Sequence, residues 1–414
     1  MSHAQADRQH VWVTGLGACS ALGPTAEALA EALEQGRSGV RRHAGKPERG
    51  LDDYVAAAVT QALGAGLPPA QLNLYDRSSL LSLQAAQEAW AQAGLPAAAP
   101  LPLRAAVAWG TGLGGAQSLE QSYTELLTRE RPRIHPYTVL RTMGNASAAH
   151  LALRYQLRGG MTAVSNACAS SAQAIGEALR QIRRGEADIV LAGGAEAMLQ
   201  PGMLQAWQAM GVMARPDPEH PEQSCRPFDR VRAGLVLGEG AAALVLESEA
   251  HARARGARPL AELAGYGTSC DAVHLSRPDA DGQLRAMRAA LDDAGLHPAE
   301  IGYVNAHGTA TEVGDAVEAA SLAALFGPRG VPVSATKALH GHLLGGGGAL
   351  ELVAALQALR RGRLPATAHL RESELDGLVD LVRDQPRSQR IGALMSNSFA
   401  FGGSNAVLVA RAAA

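Results

Sequence analysis

Two stretches of the 414-residue chain read alike. Residues 161–185, MTAVSNACASSAQAIGEALRQIRRG, and residues 331–362, VPVSATKALHGHLLGGGGALELVAALQALRRG, each run from an apolar strand through a bend of small residues into a long helix ending Arg-Arg-Gly. One unit repeated in each half reads as a weak internal duplication, one α/β unit per half, and the alternation predicts a layered α/β fold. The rest of the chain alternates in the same style. HVWVTGLG predicts a buried strand and a glycine turn, and AEALAEALEQG a helix with Leu29 and Leu33 on one face and Gly36 as its stop. SSLLSLQAAQEAWAQAG predicts a second amphipathic helix ending at Gly94, followed by the loop LPAAAPLPL. RAAVAWGTGLGG, ADIVLAGGAEA and GAAALVLE read as buried strands, GQLRAMRAALDDAGL as a helix, and IGYVNAHGTAT as strand and turn. The halves divide at 1–255, which holds the cysteine of the first unit, and 256–414, which holds the histidines of the second. The double arginines read as solvated charges at the favourable end of a helix dipole.

Composition narrows the function. A formal charge of −2 and 4% aromatic residues argue against nucleic-acid binding, which needs a basic surface and stacking platforms. Four cysteines, with no CxxC pair, make neither a disulfide framework nor a structural zinc site. The opening MSHAQADRQHVWVTG lacks the charged-then-apolar order of a signal peptide, and no run of 18 apolar residues predicts a membrane span. A soluble cytoplasmic enzyme is the expectation. Forty-six glycines in clusters point to tight turns around a site.

Cys168 lies where the first strand gives way to its helix. Unpaired N–H groups and the positive end of the dipole favour a thiolate there, and small neighbours leave those N–H groups open to a carbonyl oxygen. The stretch alone leaves two readings, nucleophile or small buried hydrophobe. Cys19, Cys225 and Cys270 lack this context and read as packing residues. His307 in NAHGTAT and His342 in ALHGHLLGGGG follow strands into glycine-rich bends, and Lys337 closes VPVSATK. Two histidines in matching settings beside one candidate nucleophile favour chemistry over surface. His340 and His342 have no carboxylate or cysteine at ligand spacing beside them, so a metal site is not expected.

SNACASS, NAHGTAT, SATKALHGHLLGGGGALE and NSFAFGGSN, in that order along nearly the whole chain, resemble the signature set of the β-ketoacyl-acyl carrier protein synthases, the KAS II type above all. The resemblance implies the thiolase fold, an α/β architecture with duplicated halves in five layers, α-β-α-β-α, and usually a homodimer. It implies that Cys168 accepts an acyl group from an acyl carrier protein and that His307 and His342 steady the enolate formed when malonyl-carrier protein loses carbon dioxide. Lys337 would orient the histidines. The N–H groups of Cys168 and Phe401 would hold the second oxyanion, with Phe401 as the gate. Thr309 and Thr311 match threonines that contact the pantetheine arm. Asp315, Glu318 and Glu351 match acids that brace the site. The phosphopantetheine arm comes with the carrier, so no cofactor or metal of the protein's own is implied.

The chain departs from the family pattern at three places. Ala400 stands where a glycine usually precedes the gating phenylalanine, which predicts a stiffer gate pivoting at Gly402. Met198, Met203, Trp207, Met210 and Met213 add bulk after GGAEA. They read either as dimer-interface core or as the wall of a tunnel for a short, flat or unsaturated chain, as in polyketide or aryl polyene synthesis. Arg129, Arg131 and Arg133 fall where carrier-docking cations are expected, but Gly211 stands where relatives often carry arginine. Rival readings are a chain-length-factor-like subunit without catalysis, or a heterodimer with such a factor, and a NAD-dependent oxidoreductase. The last rests on GTGLGG, Gly110 to Gly115, which satisfies GxGxxG but is followed by a loop where the ribose-binding strand belongs. In synthases this cluster borders the acyl pocket, with Leu113 as a lining residue.

Overall fold

The computed structural model describes residues 9–96 and 102–413. Residues 1–8 of the opening segment read for a leader, and positions 97–101 of the loop after Gly94, lie outside the described residues. Among the described residues, ten strands of one large mixed sheet fall into two sets of five. The first set is β1 (Val11–Ser20), β2 (Ala105–Gly110), β3 (Met161–Val164), β4 (Ile189–Glu196) and β5 (Gly240–Ser248). The second is β6 (Ala261–Cys270), β7 (Val304–Asn305), β8 (Pro332–Ser334), β9 (Ala393–Ala400) and β10 (Ser404–Arg411).

Outward from the centre the first set runs β1-β5-β4-β2-β3 and the second β6-β10-β9-β7-β8, with the short strand Asp380–Leu381 beyond it. In each set the two inner pairings are antiparallel and the two outer ones parallel. Strand order and direction therefore repeat one for one, as the paired strand–bend–helix stretches predict. The sets join where β1 meets β6, through Trp12 opposite Glu262 and Val13 opposite Ala261.

The same duplication governs close packing. Gly15 and Gly17 of β1 face Ala89 and Ala85 of helix Arg77–Gln92, and an added Cβ would fall 2.0 and 1.9 Å from their carbonyl oxygens. Gly265 and Gly267 of β6 meet Ala290 and Ala286 of helix Ala280–Ala294 in the same way, at 2.3 and 2.1 Å. Alternation along β5 splits its residues between two cores. Ala241, Ala243 and Val245 pack with Leu81 and Ala85 of helix Arg77–Gln92, while Ala242, Leu244 and Leu246 pack with helices Ser170–Arg183 and Gly347–Arg361. Along β10, Ala406, Leu408 and Ala410 join that second core, and Val407 and Val409 face Met287 and Leu291 of helix Ala280–Ala294.

The helices Ser170–Arg183 and Gly347–Arg361 are the two the sequence pairs by likeness, and they contact each other. Small residues allow it: Gly348 has Ala172 beside it, and Ala349 N–H donates to Ser171 Oγ at 2.9 Å. This contact of helix starts is what brings the cysteine of one half to the histidine of the other. The double-arginine ends correct the sequence reading, because one arginine of each is drawn into an ion pair across the halves. Arg183 reaches Asp293 at 2.8 Å, and Arg361 bonds Glu34 at 3.0 Å and Glu27 as well. Both are only part exposed, so they tie the halves together rather than only soothing a dipole.

Candidate active site

Cys168 sits in the single 3-10 turn Ala167–Ala169 that leads into helix Ser170–Arg183. Ala167 has φ +46°, a left-handed angle that costs a residue with a Cβ about 1–3 kcal/mol. Such a kink at the strand-to-helix step is a local cost held by the surrounding packing. Cys168 is 6% exposed, its Sγ lies 3.0 Å from His342 Nε2, and the N–H groups of Phe401 and of Cys168 itself bear on the sulfur. The helix-start argument predicts a standing thiolate, and the structure corrects it. Burial pushes the thiol up to about 12, Glu196 adds to that, and the Lys337 ammonium and the two N–H groups only partly offset it. The sulfur is a thiol at neutral pH, so a base must take its proton as it attacks.

The His307 and His342 rings meet edge to face with centroids 5.3 Å apart. Burial first, and then the charge of Lys337, holds both imidazoles well below the usual histidine range, so both are neutral at pH 7. Lys337 is itself buried, and it donates to the Glu351 carboxylate, to the His307 carbonyl and, at 3.4 Å, to His307 Nδ1. An ammonium has no lone pair, so Nδ1 is the acceptor and the neutral ring carries its proton on Nε2. The loop bearing His307 is held from below. Glu318 accepts from the N–H groups of His307 and Gly308, each at 2.8 Å, and Asp315 accepts from Thr309 at 3.0 Å and Phe228 at 2.7 Å.

Cys168, His307 and His342 offer ligand atoms that all lie within 4.8 Å of one another, a spacing that suits a soft metal ion. The Lys337 ammonium behind His307 opposes a second positive charge there. His340 is not part of this set. Its Nδ1 donates to the Gly341 carbonyl at 2.7 Å and its Nε2 accepts from Thr336 at 2.9 Å, and burial pulls it down to about 3.

Two cavities meet at the sulfur. One, of about 390 Å³, runs past His307, His342, Thr309 and Thr311, whose hydroxyls lie 2.9 Å apart. The other, of about 360 Å³, is lined by Leu113, Met198, Met203, Trp207, Met210 and Leu344. Cys168, Trp207 and Phe401 border both, and the Phe401 and Trp207 rings stack at 6.1 Å and 21°. That aromatic pair is the partition between the chambers. Met213 packs against the same cluster of buried residues but does not line the chamber, and Met210, which lines it, is also 51% exposed. Ala400, at φ −113° and ψ 154°, is in extended backbone that any residue adopts, while Gly402 at φ +83° and Gly403 at φ +74° are left-handed. Conformational freedom at the partition therefore resides in the two glycines. Gly402 N–H is tied to the Leu275 carbonyl at 2.7 Å.

Other sequence readings meet different fates. Arg129 is exposed and paired with Glu125 at 2.9 Å, and Arg131 and Arg133 are exposed. Cys19 and Cys225 are buried, but Cys270 is exposed, against the packing expected of it, because β6 runs out of the core at its end. The GTGLGG turn does not present free amides. Gly112 N–H at 2.6 Å, Leu113 N–H at 3.4 Å and the Thr111 hydroxyl at 3.3 Å all point to the Glu196 carboxylate. A phosphate cradle needs those N–H groups unclaimed. Glu196 went unremarked in the sequence, although an acid closing the apolar run IVLAGGAE was the available signal.

Comparison with known proteins agrees with this geometry. A model of the β-ketoacyl synthase N-terminal domain matches residues 8–252, and one of the C-terminal domain matches 260–371. Nodulation protein E of Rhizobium meliloti (strain 1021) is 40% identical over 402 residues, covering 97% of this chain and 98% of its own. The 3-oxoacyl-[acyl-carrier-protein] synthase 2 of Coxiella burnetii (strain RSA 493 / Nine Mile phase I) is 35% identical over 410 residues, covering 97% and 98%. Among solved structures, a beta-ketoacyl synthase from Burkholderia phymatum STM815 superposes with a TM-score of 0.90 at 34% identity, covering 98% of this chain and 100% of that one. The ishigamide ketosynthase/chain length factor gives 0.89 at 32%, with the same coverage. The solved folds are thiolase-like, and the two domain models divide where β5 ends and β6 begins. On the strength of both models and of relatives matched along their full length, the chain belongs to the β-ketoacyl synthase family.

Proposed function

We propose that this β-ketoacyl synthase condenses an acyl group held on Cys168 with malonyl-acyl carrier protein, and that its inner chamber selects a short or unsaturated acyl chain. The observation that carries the reading is the placement of one sulfur, 3.0 Å from His342 Nε2, where two cavities meet at an aromatic partition. The carrier's phosphopantetheine arm enters the outer cavity past Thr309 and Thr311. As Cys168 Sγ bonds to the acyl carbon, His342 Nε2 accepts its proton, and the departing pantetheine sulfur takes that proton up. The N–H groups of Cys168 and Phe401 hold the carbonyl oxygen while it is negative. Phe401 then swings on Gly402 and Gly403, the acyl chain settles among Leu113, Met198, Met203 and Trp207, and Ala400 stiffens the near side of the hinge.

In the second half-reaction His307 donates its Nε2–H to the malonyl thioester oxygen, and His342 donates beside it in its Nε2–H tautomer, which can form once Cys168 is acylated and no longer offers that nitrogen a proton. Carbon dioxide leaves, the enolate charge is held there, and its carbon attacks the Cys168 thioester, expelling the sulfur as a thiolate that takes up one proton from solvent to become the thiol again. Lys337 keeps the His307 proton on Nε2. A chamber of about 360 Å³ is at the small end of ligand pockets, which suits a short primer better than a long saturated one.

The core assignments along β5 and β10 support five layers, with the helices Ser170–Arg183 and Gly347–Arg361 as the middle one and domains at 1–255 and 256–414. Leu119, Tyr123 and Leu127 form an exposed apolar stripe on helix Ala116–Thr128, and Leu153 and the edge strand residue Met161 are exposed as well. Surface of this kind calls for a partner, a second copy of the chain or a chain-length factor. No helix of the described chain is long and apolar enough to cross a membrane, and a carrier-borne substrate puts the work in the cytoplasm. Mass spectrometry after incubation with a panel of acyl-carrier proteins tests the reading. Short acyl groups should appear on the Cys168 peptide and vanish in Cys168→Ala; acylation elsewhere, or preferred loading of saturated C12 or C14 chains, overturns it.

A further inference from the structure

The two longest glycine clusters of the sequence, GTGLGG and LLGGGG, meet at one carboxylate. Glu196, fully buried at the end of β4, accepts from Gly112 N–H at 2.6 Å and Leu113 N–H at 3.4 Å on one side. On the other it accepts from Gly345 N–H at 3.2 Å, three residues after His342. The contact is tight. A Cβ on Gly112 would lie 2.6 Å from Glu196 Oε2, and one on Gly345 would lie 2.7 Å from the same oxygen and 2.3 Å from Gly112 N. The glycines are thus required by the carboxylate and by each other's backbone. Leu113 and Leu344, which flank these clasped residues, both line the acyl chamber.

We propose that Glu196 is a positioning residue for the condensation: its carboxylate clasps the loops of the two halves to fix the acyl-chamber wall, and its negative charge sets how readily Cys168 gives up its proton. The role in condensation rests on Cys168 being the acyl acceptor. Gly112 and Leu113, which Glu196 holds, and Leu344 line one chamber with Cys168, so the carboxylate lies behind the wall beside the sulfur; of the charged groups near it Lys337 favours ionisation of the sulfur and Glu196 opposes it, while His307 and His342 are neutral. All hydrogen-bond partners of Glu196 are neutral. Burial pushes Glu196 up to about 7, with those partners pulling the other way. Its charge therefore appears as pH rises through neutrality, just where it slows loss of the thiol proton.

The test is the rate at which a small methanethiosulfonate modifies Cys168 from pH 6 to pH 9, read by mass spectrometry on its peptide with exposed Cys270 as reference. Glu196→Gln keeps an oxygen for the two glycine N–H groups and removes the charge. The variant-to-wild-type rate ratio should be near one at pH 6 and rise about threefold or more by pH 9, half a unit in thiol ionisation. Glu196→Asp keeps the charge but withdraws the clasp, so it should leave the pH dependence alone and change the ratio of short to long primers loaded. A Glu196→Gln ratio that is flat with pH overturns the electrostatic role, and an unaltered primer ratio in Glu196→Asp overturns the clasp. If the aspartate variant does not fold, the glutamine ratio decides. The modification needs no acyl substrate, so it stands or falls separately from the proposed condensation.

Discussion

Replacing Lys337 by methionine should carry the loss of stability with rising pH on beyond pH 7, where in the wild type it levels off. Lys337 and Glu351 are each 1% exposed and form an ion pair in the core. Taking away one partner of such a pair strands the other, at a cost of about 3–5 kcal/mol if it stays charged. Glu351 need not stay charged. Burial has already pushed its carboxyl from 4.5 up to about 7, with the lysine holding it down. Without Lys337 it rises further and takes up a proton on folding. An acid whose folded value exceeds its unfolded one favours the folded state at low pH and loses that advantage as pH rises towards the folded value. The wild type loses it up to about 7 as well, so the two proteins part above that value: each unit is worth about 1.4 kcal/mol, and the Lys337→Met penalty should change little between pH 5 and pH 7 and grow by about 1–2 kcal/mol between pH 7 and pH 9. Glu351→Gln together with Lys337→Met removes the titrating group and should flatten the dependence. Urea unfolding of the wild type, the single variant and the double variant at pH 5, 7 and 9 measures this. A Lys337→Met penalty equal at pH 7 and 9, or a double variant as pH-dependent as the single one, refutes the reasoning. Both Lys337 variants should also lose about a hundredfold in malonyl decarboxylation, because nothing then keeps the His307 proton on Nε2.

Three further outcomes follow from the same geometry. Met198→Ala and Met203→Ala enlarge the inner chamber, so longer saturated primers should load at least about threefold better on Cys168 while shorter ones change little, a shift of well under 1.4 kcal/mol in selectivity; an unchanged primer profile removes them from the chamber wall. Ala400→Gly frees the residue before Phe401 and should change the acyl-transfer rate by about two- to fivefold, within the 0.4–1 kcal/mol of an alanine-to-glycine exchange; stopped-flow release of carrier thiol reads it, and an identical rate confines the hinge to Gly402 and Gly403. Tyr123→Asp and Leu127→Asp put charge on the exposed stripe of helix Ala116–Thr128 and should halve the mass seen by sedimentation without unfolding the chain; an unchanged mass excludes that helix from the subunit contact.

Much of this site was legible in residue order because the fold is a duplication. Once two strand–bend–helix units are seen, Cys168 and His342 fall at matching bends of the two, with small residues and glycines that read as tight turns around a site; that the two helix starts touch is a finding of the structure. What the sequence hides is the effect of bringing the halves together. Arg183 and Arg361 look like solvated helix ends until Asp293 and Glu34 arrive from the other half. The Cys168 helix start looks activating until burial, which no local pattern reports, raises the thiol. Glu196 looks like one acid in a turn, since its partners Gly112 and Gly345 are far from it in the chain. Each miss concerns the energy of burial or a contact across the halves. Each success concerns local backbone geometry.

The most direct measurement follows the fate of an acyl group already on the enzyme. Protein carrying an isotopically labelled short acyl group is mixed with malonyl-acyl carrier protein, and both partners are weighed by intact mass spectrometry. The label should leave Cys168 and reappear on the carrier as a β-ketoacyl chain two carbons longer, with His307→Ala and His342→Ala stalling while still acylated. A label that remains on the wild-type enzyme, or departs as free acid without lengthening, contradicts the role given to this cysteine and its two imidazoles.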